Sequence, residues 1–295
     1  MSSSASVRVP GTTANLGPGF DTLGLALNLY NRITVTKAAG RAITITSPIS
    51  EDSRGPATAM LTEAAKAFFK ASRQPAFGFQ IAITGDVPLA RGLGSSVTAR
   101  LGCVAALNQL TKEPLTREDL FQLVTRLEGH PDNAAPALWG GFTASTLVGT
   151  EARAIRFPVS AKAHFVTLIP NFEVSTPAAR KLVPLQFSKA DTVHCLTRVA
   201  LITAAFASGN LEALRGCFDD RIHQPYREQL IPPLSRVIRA GEKAGAIGGW
   251  LSGSGSTIIC LTLQNPEAVA VAMHRVLPDS AVHLLAADRH GLKIG

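Results

Sequence analysis

The sequence predicts an α+β fold in which helices layer onto sheets, divided between two domains. Three observations carry this expectation. The chain has 295 residues, whereas single domains commonly run to roughly 100–200. Strand-patterned and helix-patterned segments alternate through its second half. Hydrophobic residues make up 46% and aromatics only 6%, so a core can form but must rest on Ala, Leu, Val and Ile.

Val7 and Val9 alternate ahead of Pro10 and predict the first strand. Residues 10–21 read as a loop punctuated by Gly11, Gly17, Pro18 and Gly19. Strict alternation over Ile33–Thr36 and Ile43–Thr46 predicts two further strands. Residues 57–71 are Ala-rich and predict a helix, and 78–84 predict a strand ending at the turn signal Gly85-Asp86. Val97, Leu101, Val104 and Leu107 stand near helical spacing and predict a helix over 97–110. The helix at 116–128 is the best marked: Thr116 with Asp119 forms a capping box, and Leu120, Leu123, Val124 and Leu127 share a face. A strand follows at 140–146, then a polar, Gly-containing stretch at 148–153, with a domain boundary expected near 150–165. Beyond it, strands at 164–169, 247–251, 257–262 and 281–286 alternate with helices at 188–208, 229–243 and 266–276.

The net charge of +8 and pI near 9.7 favour anionic partners. Nucleotides, phosphorylated metabolites and nucleic acids all qualify, as does a basic solvated surface. Only two Trp and two Tyr are present, with no interleaving of aromatic and basic residues, so no nucleic-acid partner is expected. Cys103, Cys195, Cys217 and Cys260 are scattered without a C-x-x-C pair, which predicts small buried side chains in a reducing compartment. The first ten residues lack a basic-then-apolar leader, and no apolar run approaches the ~18 residues of a bilayer span. A soluble, cytoplasmic protein with no membrane partner is expected.

Four segments carry chemistry. PLARGLGSS at residues 88–96 follows a strand and opens a helix. A helix N-terminus offers unpaired N–H groups and a positive dipole end, and glycines let an anion approach the backbone. The bland alternative is that its serines only cap the helix. It is neither G-x-x-x-x-G-K-[ST] nor G-x-G-x-x-G. PGTTANLGPGFD at residues 10–21 offers Asn15 and Asp21 to a polar substrate, or else serves as a turn. EGHPDN at residues 128–133 puts Glu128 on the apolar face of its helix, where a carboxylate needs a cation or donors. Mg²⁺ held jointly with a serine hydroxyl would satisfy it, and an outward-turned side chain is the alternative. LSGSGST at residues 251–257 reads alone as a hairpin turn. Arg180 in STPAAR and Arg227 in HQPYR complete the set, with forks suited to a carboxylate.

The order of these segments resembles the GHMP kinases, the superfamily of galactokinase, homoserine kinase, mevalonate kinase and phosphomevalonate kinase. The matching motifs fall at residues 10–21, 88–96 and 248–257, nearly the whole chain. Within it, TANLGPGFD and the HPDN segment ahead of Gly140-Gly141 are most similar to the homoserine kinases. That resemblance implies two-layer α/β sandwiches: a ribosomal-protein-S5-domain-2-like ATP-binding domain over 1–155 and a ferredoxin-like domain over 156–295, often in a homodimer. It implies ATP-dependent phosphorylation of L-homoserine on its side-chain hydroxyl, in threonine biosynthesis. Ser96 and Glu128 would hold Mg²⁺, while Pro88, Arg91, Gly92, Leu93, Gly94, Ser95 and Ser96 would cradle the phosphates. Asn15, Asp21, His130, Thr176, Arg180 and Arg227 would surround the amino acid, with Asp21 taking its ammonium and the arginines its carboxylate.

Asn133 stands where many related kinases carry an aspartate base. An amide cannot accept the proton, so Asn133 is expected to orient the hydroxyl, alongside Glu128 and Ser96 at the reacting centre. Two further departures are the missing Asn in residues 54–60, which leaves adenine contacts unassigned, and Ser256 where Pro is usual, which predicts a looser turn. A mevalonate-like or sugar-alcohol kinase and a non-catalytic ATP-binding regulator are the competing readings.

Overall fold

The computed structural model describes residues 3–295. The chain runs β1 (Ser4–Ala14), β2 (Leu23–Ala38), β3 (Ile43–Ile45), α1 (Glu51–Ser72), β4 (Gly78–Gly85), α2 (Ser95–Leu110), α3 (Arg117–Glu128), α4 (Ala134–Trp139), β5 (Phe142–Val148) and β6 (Glu151–Phe157). It continues with β7 (His164–Pro170), α5 (Thr176–Lys181), α6 (Lys189–Ser208), α7 (Gln224–Arg227), α8 (Leu234–Lys243), β8 (Gly248–Leu251), β9 (Ile258–Thr262), α9 (Pro266–Val276), β10 (Ser280–Leu285) and β11 (Lys293–Ile294). This is the expected α+β architecture of two sheets, each layered with helices.

The first sheet has seven strands in the order β11-β1-β2-β4-β3, with β5 added beside β2 and β6 beside β5. Length makes this possible: β2 pairs β5 through Leu23–Leu25 and β4 through Asn31–Ala38. Helices α1 to α4 cover this sheet around a core that includes Phe68, Phe79, Val104 and Phe121. The second sheet has the order β10-β7-β9-β8. Its chain path β7-α8-β8-β9-α9-β10 gives the spatial order 4-1-3-2 of the ferredoxin-like split βαβ, as expected. A second core, with Trp250, Phe165 and Phe206 beside Leu23, Leu25 and Phe142, joins the two halves.

Local chemistry explains the boundaries. The capping box on α3 is present: Thr116 Oγ1 accepts from the Asp119 N–H (3.1 Å) and Asp119 Oδ2 from the Thr116 N–H (2.8 Å). Gly129 closes the helix at φ 87°. Four expectations are corrected. Residues 10–14 are strand, not loop, because a register shift between Pro10 and Thr12 absorbs the proline. The stretch 148–153, expected as a polar break after the strand, is a hairpin, with Val148 paired to Glu151 around Gly149 at φ 62°. The helix expected at 229–243 starts only at Leu234, because Pro232 and Pro233 interrupt it. The helix expected at 57–71 begins earlier, at Glu51, with acidic residues favouring its first turn. Finally, β11 returns from the C-terminal end to pair with β1, with Val7 opposite Ile294.

Candidate functional site

The segment after β4 delivers Gly94 to the N-cap of α2 at φ 69°, with no side chain capping the helix. Ser95 and Ser96 therefore occupy helical positions and do not act as its caps. The glycines are required by what lies against the loop. A Cβ on Gly94 would stand 2.1 Å from Thr12 Oγ1, and one on Gly92 would stand 2.1 Å from the Ser252 carbonyl. The turn at 252–257 and the end of β1 thus pack directly on the glycine-serine loop.

A cavity of about 290 Å³ opens at this helix end. Gly92, Gly94, Ser95 and Ser96 line it, together with Glu128, His130 and Asn133 from the end of α3 and the following turn. Asn15 and Asp21 enter from the loop after β1, Thr176 and Arg180 from α5, and Arg227 from α7. Three expected phosphate-loop residues are not in the lining. Leu93 is buried in the core between the halves, and its carbonyl accepts the Thr12 N–H. Arg91 reaches the Pro170 carbonyl (3.1 Å) and Glu173 (3.3 Å). Pro88 is half-buried beside them.

The charged side chains come in pairs. Arg180 donates to both oxygens of Asp21 at 2.7 and 3.0 Å, and this raises the Arg180 pKa above its ordinary value. Arg227 is buried; burial first and Arg180 second bring its pKa down to about 10. It donates to the carbonyls of Ala179 (3.3 Å) and Gly253 (2.9 Å) and meets His223 Nδ1 at 3.2 Å. Asn15 Nδ2 donates to the Gly253 carbonyl (3.1 Å), and its Oδ1 accepts the Asp21 N–H (3.1 Å), so Asn15 ties the loop after β1 to the turn at 252–257. Burial works against a charge on His130, but the Asp132 carboxylate 2.5 Å away outweighs it, and the pKa rises.

Ser96 Oγ stands 3.2 Å from Glu128 Oε2, so a hydroxyl and a carboxylate face one another at the mouth of the helix dipole. These hard oxygen donors suit Mg²⁺. Asp21, His130 and Asp132 also offer ligand atoms within 4.8 Å of one another, yet Asp21 is engaged by Arg180 and Asp132 by His130.

Several residues were missed in the sequence reading. Thr12 donates to Asn133 Oδ1 at 2.7 Å, which fixes the amide with its NH₂ away from Thr12. Asp132 is buried and accepts from His130 and from the backbone and side-chain amides of Asn133 (3.0 and 3.3 Å). His223 is fully buried, stacks on Phe20 at 5.2 Å and meets the Gly17 carbonyl at 2.8 Å through Nε2. All three lie within quoted segments, but only packing reveals their direction. Ser256 corrects another expectation: its hydroxyl donates to the Phe172 carbonyl at 2.6 Å, tying the turn down.

A second cavity of about 470 Å³ shares Ala90, Ser95 and Ser96 with the first. Its walls are mainly apolar, with Ile45, Ile49, Met60, Leu61 and Ile83. Among the described residues, no helix is long and apolar enough to cross a membrane.

Known proteins resemble this chain in sequence and fold. The family model for the GHMP kinases N terminal domain matches residues 59–141, and that for the GHMP kinases C terminal domain matches residues 202–279. The homoserine kinase of Clostridium kluyveri is 35% identical over 294 residues, covering 98% of this chain and 97% of its own. That of Microchaete diplosiphon is 41% identical over 276 residues, covering 92% and 89%. The crystal structure of homoserine kinase from Cytophaga hutchinsonii superposes with TM-score 0.90 at 27% identity, covering 100% of this chain and 98% of that one. Mevalonate kinase from Methanococcus jannaschii shares the fold, at TM-score 0.69 and 16% identity over 96% of this chain and 98% of that one.

Proposed function

The chain belongs to the GHMP kinase family, among the homoserine kinases, and we propose that its cavity carries out ATP-dependent phosphorylation of the side-chain hydroxyl of L-homoserine. One observation carries the assignment of roles: a charge pair suited to a zwitterion, Asp21 with Arg180, lines the same 290 Å³ cavity as the glycine-serine anion cradle. Phosphoryl transfer needs positioning and charge neutralisation more than covalent help.

In this reading the N–H groups of α2 with Gly92, Gly94, Ser95 and Ser96 receive the phosphates, flanked by Pro88, Arg91 and Leu93 as the loop's supports. The apolar second cavity, which adjoins Ser95 and Ser96, suits the adenine that the sequence left unassigned. Ser96 and Glu128 would hold Mg²⁺, which would supply neutralisation of phosphate charge. The amino acid's ammonium goes to Asp21 and its carboxylate to Arg180 and Arg227, with Asn15, His130 and Thr176 bordering the pocket.

Asn133 has its oxygen engaged by Thr12, and one N–H engaged by Asp132. One N–H is left to hold the substrate hydroxyl oxygen. The amide takes no proton, so the hydroxyl proton leaves to phosphate or solvent. The cytoplasmic location, the homodimer and the division of the chain at 155/156 belong to the same proposal, on the strength of the resemblance.

A coupled ADP-release assay with Mg-ATP and L-homoserine, mevalonate, galactose and L-serine tests the reading. Turnover is expected with L-homoserine. Turnover only on another alcohol would overturn the substrate, and none on any alcohol would favour an ATP-binding regulator.

A further inference from the structure

Glu128 is gripped from one face of α2 by two residues four apart. Ser96 Oγ meets Oε2 at 3.2 Å, and Arg100 Nη1 meets Oε1 at 2.6 Å. The carboxylate is only 9% exposed and the arginine side chain 16%, so solvent screens this pair poorly. Arg100 lines neither the phosphate cavity nor the apolar one beside it, so it is placed to act through Glu128. Its Nη2 lies 3.5 Å from Glu63 Oε2 on α1, and its Nε is buried without a partner. An arginine on a carboxylate is frequently bidentate, as Arg180 is on Asp21. Here Arg100 spends one strong bond on one oxygen and leaves the other facing Ser96.

The geometry points to Arg100 as a positioning residue that sets how a divalent cation enters this site. This inference rests on Ser96 and Glu128 being the metal ligands. Arg100 holds the carboxylate so that Oε2 alone is presented to the cavity. Its positive charge also cancels that of Glu128. A bare divalent cation therefore meets little net attraction, whereas one already bound to a nucleotide is drawn in through the phosphates by the α2 N-terminus. The site is built to take metal-nucleotide in place of free metal.

The test uses Mn²⁺ as probe, with free Mn²⁺ read by its EPR signal during titration of the intact protein, with and without ADP. Arg100→Met and Arg100→Gln both remove the charge, and Gln keeps a donor for Oε1 should Met impair folding. Each should tighten binding of nucleotide-free Mn²⁺ by roughly tenfold, the effect of one nearby charge. Arg100→Lys should leave it near the wild-type value. Nucleotide-free Mn²⁺ affinity unchanged in folded Arg100→Gln overturns the inference. Glu128→Gln separates the two readings. If it weakens Mn²⁺-ADP binding while Arg100→Gln changes nothing, only the role of Arg100 falls. If it leaves Mn²⁺-ADP binding unchanged, the metal-ligand assignment falls and this inference with it.

Discussion

Arg180 on α5 closes a two-bond ion pair on Asp21, 159 residues earlier, at 2.7 and 3.0 Å. Its guanidinium and that of Arg227 both lie over the Phe20 ring, at 5.5 and 5.1 Å. The pocket thus balances its own charges before a substrate arrives. A zwitterion can replace the pair by partnering both members, whereas a ligand with one charge leaves the other member unmatched.

Removing one member should therefore act on the amino acid and not on the nucleotide. Arg180→Ala should raise the KM for L-homoserine roughly 10- to 150-fold, the worth of a charge-assisted hydrogen bond. The KM for ATP should stay nearly unchanged. Equal effects on both constants in steady-state kinetics would refute the assignment.

Ser96→Ala and Glu128→Gln should show the opposite pattern. Each removes an oxygen donor from the 3.2 Å pair, so both should weaken Mg-ATP use and raise the Mg²⁺ needed for half-maximal rate. L-homoserine KM is the internal control, and a change confined to it would reverse the roles.

Asn133 is argued to position and not to accept a proton. Asn133→Asp should then give no large rate gain and no new carboxylate-like limb in the pH–rate profile. Thr12 gives a second handle because its hydroxyl orients the Asn133 amide at 2.7 Å. Thr12→Val should lower kcat with little change in either KM, and Thr12→Ser should restore it. A Thr12→Val enzyme with wild-type kcat would remove Thr12 from the mechanism.

A buried histidine and a half-buried one give opposite pH signatures. Burial, with Arg227 adding to it, lowers the His223 pKa below 6.5. As pH falls through 6.5 the unfolded chain takes up a proton that native His223 refuses, so stability drops, by at most about 1.4 kcal/mol per pH unit. The His130 pKa is raised by Asp132, so its contribution is full below 6.5 and is lost as pH rises through the higher native value. Urea unfolding from about pH 5.5 to 8.5 should show the acid-side slope reduced in His223→Gln. In His130→Gln, the difference in stability from wild type should shrink as pH rises. Parallel curves for all three proteins would refute both assignments.

Much of the site was legible because the chemistry is carried by short contiguous segments. Glycines that an anion cradle needs, a capping box that starts α3, and an Asn–Asp pair spaced within one loop all leave local signatures. The sequence could not show direction. Asp132 and His223 stand inside segments already singled out, yet whether they face the cavity or brace it depends on neighbours such as Gly17, 206 residues from His223. Arg100 had no motif at all. Its only signal is its place one turn beyond Ser96, and that matters only once α3 brings Glu128 against the same helix face.

The glycine-serine loop and the α+β class were determined by the sequence itself, because periodicity and turn chemistry act over a few residues, and the order of the motifs carried the resemblance to the family. The Asp21–Arg180 pairing, the Thr12–Asn133 bond and the Arg100–Glu128 contact were decided by tertiary structure alone. Each joins residues 28 to 159 positions apart. At such separations charge and hydrogen-bond geometry are set by how the two sheets and their helices pack, and no local pattern in the chain encodes that packing.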